Sequence, residues 1–168
     1  MTLSDVVALL GFLLAVAAVG SSGALFPPGR WYETLDKPDW RPPNWAFGPV
    51  WMVLYVCIAV AGWRVWSAVG FSGAPLAFAV YALNLVLNFL WSYLFFGLRR
   101  MRLALFEMAA MWLTILALIG LFAPVDGIAA GLMVPYLLWV SAAFALNLSL
   151  LRRNPGGRPR GAPQEVEA

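Results

Sequence analysis

The chain has 168 residues, 62% of them hydrophobic and 11% charged, with a formal net charge of +3 and a mean hydropathy of +0.80. Soluble domains carry roughly 25% charged residues, so this composition excludes an ordinary soluble domain and assigns the chain to a lipid bilayer. A single cysteine, Cys57, excludes an internal disulfide, and the absence of histidine removes histidine metal ligands, histidine-ligated haem and the commonest general base.

Five apolar runs, at about 4–26, 45–66, 75–98, 103–122 and 127–151, each approach the ~20 residues that cross a ~30 Å hydrocarbon core. Backbone polar groups find no water in lipid, so runs of this length must be helices. The expected fold is an all-α membrane protein, a bundle of five transmembrane helices spanning residues 1–153. Residues 154–168 lack apolar periodicity and read as a disordered tail. The first run is longer than a signal-peptide core and has no Lys or Arg before Arg30, so it is kept as a span. Ten basic residues (Arg30, Lys37, Arg41, Arg99, Arg100, Arg102, Arg152, Arg153, Arg158, Arg160) lie at one end of the bundle, and Arg64 alone lies at the other. The positive-inside rule then puts the N-terminus outside and the first connection and C-terminus in the cytoplasm. Basic residues at the ends of apolar runs, rather than along one polar face, argue against a nucleic-acid partner.

In the first span Gly11, Ala15 and Ala18 share one side, which suits close packing inside the bundle or, alternatively, a dimer seam. The connection that follows is a structured Trp/Pro-rich loop. Between Arg30 and Trp51 it holds four tryptophans, four prolines and six charges. Lys37-Pro38 and Arg41-Pro42-Pro43 cannot lie inside a helix, so this is a stiff connection rather than a floppy linker, suited to a lid. The second span begins at Asn44 or, to keep Pro49 out of its interior, at Gly48 with Pro49 first. Trp51 then lies just beneath the loop with Tyr55 one turn deeper; Trp63 and Trp66 anchor the far interface.

Asn84, Asn88, Trp91 and Phe95 recur at helical spacing in the third span and form one stripe. Amides at membrane depth look into the bundle or a cavity, so these either join helices or face a ligand. In the fourth span Glu107 is expected to snorkel to the interface, a functional carboxylate being the lesser reading, and Trp112 to pack without a polar companion. The fifth span carries Pro135-Tyr136, Trp139, Ala143 and Asn147, with Pro135 freeing the carbonyl of Gly131. By depth these residues fall in the half of the bundle below the loop. A pocket roofed by Trp31, Tyr32 and Trp40 and walled by aromatic and amide groups is the expectation.

Trp31-Tyr32 through Lys37-Pro38-x-Trp40-x-Pro42-Pro43 to Trp51, then Leu87-Asn88-x-x-Trp91-Ser92 with Phe95-Phe96-Gly97, then Pro135-Tyr136-x-x-Trp139 with Leu146-Asn147, resemble the tryptophan-rich sensory protein/translocator protein (TspO/MBR) family. The resemblance runs from about Gly23 to Asn154. It implies a five-helix protein, commonly a homodimer, in a bacterial cell membrane, that binds porphyrins such as protoporphyrin IX and needs no cofactor. Residues implicated by it in binding are Trp31, Tyr32, Trp51, Asn84, Asn88, Trp91 and Trp139; Trp51 and Trp139 would be the indoles of any light-dependent porphyrin degradation. Trp40, Tyr55, Ala143 and Asn147 join the pocket from the depth argument. Leu148 and Ser149 follow Leu146-Asn147 where animal relatives have a tyrosine, which speaks against cholesterol recognition through that motif. Tyr93 stands where many relatives have proline, leaving the bend of the third span open. Three functions compete: a sensor whose occupancy moves the loop, an enzyme degrading porphyrin in light, and a transporter. The absence of internal repeats and of a charged mid-membrane pathway weakens the last.

Overall fold

A computed structural model describes residues 2–157. Among these, five helices are long and apolar enough to cross a membrane. The long helices are α1 (Leu3–Gly20), α4 (Asn44–Gly73), α5 (Pro75–Ser92), α6 (Met101–Phe122) and α7 (Gly127–Arg153). Two short ones, α2 (Ser22–Leu25) and α3 (Arg30–Thr34), lie in the first connection. Residues 158–168, most of the expected tail, lie outside the described region.

Packing fixes the order around the bundle as α1, α4, α7, α6, α5, with α5 returning to α1. Two apolar cores result. The larger joins Ile58, Tyr81, Met111, Ile115 and Tyr136. The smaller lies against the first connection and joins Tyr32, Leu35, Leu94, Phe95, Ala104 and Leu150. At Gly62 a Cβ would come within 2.9 Å of the Phe12 and Tyr81 rings, so glycine is what lets α4 close on its neighbours.

Several expectations change. Helix α4 starts at Asn44 and keeps Pro49 in its interior. The carbonyl that Pro49 leaves unpaired belongs to Trp45, an exposed residue in the first turn, so the loss falls where the helix is least enclosed. The same helix runs on past Trp66 and kinks at Gly70, whose φ of 66° glycine alone takes readily. The third span ends in a π-helical turn, Tyr93–Gly97, that turns Leu94 and Phe95 inward. Gly11 and Ala18 are exposed; α1 packs instead through Phe12, Val16 and Val19. Trp112 does have a polar companion, donating to the Ser141 hydroxyl at 2.8 Å. Glu107 does not snorkel: it is 8% exposed, in line with buried Ala104 and Met111, while the adjacent Phe106 takes the lipid side.

At the end remote from the first connection, Asp126 caps α7 by accepting from the Ala129 amide at 2.9 Å and pairs with Arg64 at 2.8 Å. The Arg64 bond first, then the helix amide, hold the Asp126 carboxyl below its ordinary range. Stabilisation of this sign is present above the ordinary carboxylate range and is lost as pH falls through the lowered value. Asp126→Ala is expected to cost about 1–2 kcal/mol at neutral pH. Thermal unfolding followed by tryptophan fluorescence should show the gap between wild type and variant closing on acidification.

Candidate functional site

Prolines set up the region where α4 and α7 meet. Pro49 and Pro135 each lie inside a continuous helix, and both line a groove of about 570 Å³ together with Val53, Leu54, Leu138 and Trp139. Its walls are almost wholly apolar and it opens on the outer surface of the bundle. A second hollow of about 140 Å³ continues toward the first connection, lined by Trp40, Pro42, Phe47, Trp139, Ala143 and Leu146. Trp139 belongs to both, its ring set edge-on to Phe47 at 5.6 Å. Its indole N–H is buried and has no hydrogen-bond partner among the described residues. A polar group so placed is a handle for a guest with an acceptor atom.

Of the residues expected to form one pocket, Trp40, Trp139 and Ala143 line these hollows. Trp51 and Tyr55 lie next door in a bonded cluster. Their rings stack at 5.3 Å, Trp51 meets Tyr136 edge-on at 6.1 Å, and the Tyr55 hydroxyl donates to Asn88 Oδ1 at 3.0 Å. Asn88 Nδ2 donates in turn to the Tyr136 hydroxyl at 2.7 Å. Asn84 turns toward α6, donating to Thr114 Oγ1 at 2.8 Å. Trp31 and Tyr32 pack on Phe95, and Trp91 stacks on Phe95 at 5.2 Å. Asn147 is buried, and neither of its amide atoms has a partner among the described residues.

The first connection is held from below. Trp31 Nε1 donates to the Gly157 carbonyl at 2.9 Å, and Arg153 lies 3.5 Å from Asp36. Asn154, fully buried, accepts from the Asp36 amide at 2.8 Å and donates to the Asp36 carbonyl at 2.9 Å. Lys37 Nζ donates to the carbonyls of Glu33 and Leu35 and lies 4.9 Å over the Tyr32 ring. Desolvation chiefly, and Arg41 next, lower its pKa, against the raising effect of Glu33 and Asp36. Arg41 adjoins Trp40 and Pro42 of the small hollow in sequence, and its guanidinium donates to Asn44 Oδ1 at 2.8 Å.

The TspO/MBR family model matches residues 11–153. The chain belongs to the TspO/MBR family. Among its relatives, protein CrtK of Rhodobacter capsulatus is 40% identical over 150 residues, 88% of this chain and 93% of that one. The tryptophan-rich sensory protein of Cereibacter sphaeroides is 43% identical over 145 residues, 86% and 90% of the two chains. The human translocator protein is 35% identical over 154 residues, 89% and 91% respectively. Family membership and five apolar helices together make this an integral membrane protein.

Sequence reasoning had no hold on Pro49, Val53, Leu54 or Phe47 as lining residues, because apolar side chains on a lipid-embedded helix give no sign of which face meets a groove. Tyr136 carried a signal, since it adjoins Pro135 in a recognisable motif, yet its bond to Asn88 appears only once the helices are packed.

Proposed function

We propose that this TspO/MBR protein binds a tetrapyrrole of the protoporphyrin IX type in the groove between α4 and α7 and acts as a membrane sensor or regulator. The observation that carries the reading is Trp139, shared by two adjoining apolar hollows and holding a buried, unpartnered N–H. Pockets for small molecules run to about 300–1,000 Å³ with few polar groups, and the larger hollow lies in that range. A flat macrocycle gains contact with Trp139 and Trp40, while its carboxylates reach Arg41 beside Trp40. Occupancy beneath Trp40 and Pro42 would shift the first connection, and through Asp36 and Asn154 the end of α7. The basic ends of the helices favour placing this connection and the C-terminus in the cytoplasm. Assembly as a homodimer belongs to the same proposal, since the Gly11 and Ala18 side of α1 is free of internal packing.

Titrating purified protein with protoporphyrin IX in the dark should quench tryptophan fluorescence saturably, and Trp139→Phe should raise the Kd by about tenfold, equivalent to roughly 1.4 kcal/mol. Absence of quenching in wild type would sink the reading. Illuminating the complex tests degradation separately: loss of the porphyrin band that disappears in Trp51→Phe or Trp139→Phe would add an enzymatic role. Accumulation of porphyrin in sealed vesicles would favour transport instead.

A further inference from the structure

The turn that joins the third span to α6 carries three arginines within four residues, Arg99, Arg100 and Arg102, all of them exposed. It is closed by its own backbone: the Leu98 amide donates to the Tyr93 carbonyl at 2.8 Å, and the Arg100 amide to the Leu94 carbonyl at 3.0 Å. Arg99 takes a φ of 56° and is the one residue other than glycine with positive φ among the described residues. Glycine would take that conformation without strain, so an arginine there is held at a cost to the backbone. Its guanidinium lies 6.0 Å over the Trp31 ring, whose indole N–H donates to the Gly157 carbonyl.

No acid among the described residues pairs with this charge. The ion pairs formed there are Arg64–Asp126 and Arg153–Asp36, and all three arginines stand outside them. The first turn of α6 holds no acid, no side chain caps its start, and Glu107 further along is buried. Cations at the start of a helix lie against its dipole, so an anion from outside the chain relieves the arrangement. Beyond the arginines runs an apolar stripe. Leu103, Phe106, Ala110 and Leu113 follow one another at steps of three and four residues, and all four are exposed. From Arg102 to Leu113 the helix rises about 16 Å, close to half of a ~30 Å hydrocarbon core.

We propose that this surface is a docking site for an anionic phospholipid, its phosphate taken by Arg99, Arg100 and Arg102 and an acyl chain laid along Leu103, Phe106, Ala110 and Leu113. Guanidinium groups hold phosphate oxygens through charge-assisted, often bidentate hydrogen bonds. Free phosphate has the same head chemistry but leaves the stripe unused, whereas a basic head above an exposed apolar stripe on one helix matches an amphiphile. Setting the orientation of the chain requires only that basic residues lie at this end of the bundle, as the exposed Arg30 and Arg152 also do. It requires neither a closed turn nor a strained backbone beneath them.

Native mass spectrometry of the full chain released from detergent micelles, titrated with palmitoyl-oleoyl phosphatidylglycerol and separately with the phosphatidylcholine of the same chains, tests the site. Phosphatidylglycerol is expected to bind at least fivefold more tightly. Arg100→Gln with Arg102→Gln should cut that preference to below twofold. Arg30→Gln with Arg152→Gln removes the same charge from the same end of the bundle and should keep it. Arg99→Gly should weaken phosphatidylglycerol binding severalfold while the Tm holds or rises, because glycine takes a φ of 56° freely. Equal affinity for the two lipids in wild type would overturn the proposal, as would an equal loss in the two double variants, which would reduce the arginines to bulk charge. Displacement of the lipid by glycerol 3-phosphate at matching concentration would overturn it in favour of a free-phosphate site. Circular dichroism of each variant separates lost binding from lost fold.

Discussion

Replacing Asn154 with alanine is expected to release the first connection from the end of α7. One carboxamide satisfies both the N–H and the C=O of Asp36, at 2.8 and 2.9 Å, and also donates to the Leu150 carbonyl at 2.9 Å. It does so from a fully buried position, so water cannot take the place of the lost carboxamide at no cost. Buried groups that lose their partners cost about 1–3 kcal/mol each, but Asp36 itself is exposed and water recovers part of the loss. About 2 kcal/mol of local stabilisation should vanish, which corresponds to a local opening equilibrium roughly thirtyfold larger. Amide hydrogen exchange at Asp36 should accelerate accordingly while exchange in the middle of α6 stays slow. Asn154→Asp keeps the acceptor for the Asp36 amide and loses the donor, so it should fall between the two. Unchanged exchange at Asp36 in the alanine variant would show that Trp31–Gly157 and Arg153–Asp36 hold the connection without it.

The same residue shows where sequence reading ends. Five spans were legible because about twenty apolar residues in a row leave the backbone no alternative to a helix in lipid. Boundaries were less so. Pro49 is tolerated inside α4 because its unpaired carbonyl lies in an exposed first turn, and α4 outruns Trp66 because Gly70 kinks the helix without ending it. Asn154 precedes Pro155-Gly156-Gly157, a run of helix breakers, and reads as the start of a tail; only the returning first connection gives its side chain a partner. Glu107 and Trp112 failed for a related reason. Helix α6 is apolar on every side, so no polar face announces its rotation, and rotation decides whether Glu107 meets lipid or protein. Residue types in the candidate site were legible, since indoles and amides at helical spacing stand out in an apolar chain. Their pairings were not: Asn84 chose Thr114 and Asn88 chose two tyrosines, contacts set by the packing order of the helices.

Asn88→Leu should destabilise the empty protein more than any other single change on α5. Asn88 links three helices, accepting from Tyr55 on α4 and donating to Tyr136 on α7. Tyr136 is fully buried and Tyr55 half-buried, so a leucine at 88 strands the first hydroxyl in an apolar interior and takes from the second its bonded partner. Intact hydrogen bonds between membrane helices average only about 0.6 kcal/mol. Leaving two hydroxyls without that partner is the larger effect, at about 1–3 kcal/mol each, so a loss of about 2–5 kcal/mol is expected. The asymmetry gives the test its force. Removing both hydroxyls as well, in Asn88→Leu with Tyr55→Phe and Tyr136→Phe, leaves no unpaired group, and the triple variant should be more stable than the single one. Unfolding in mixed micelles, followed by tryptophan fluorescence, measures both. If Asn88 served only to face a ligand, the single variant would match wild type until ligand was added, and the triple variant would show no rescue. The bonded geometry predicts the opposite order, with Trp51, stacked on Tyr55 and edge-on to Tyr136, reporting the change through its emission.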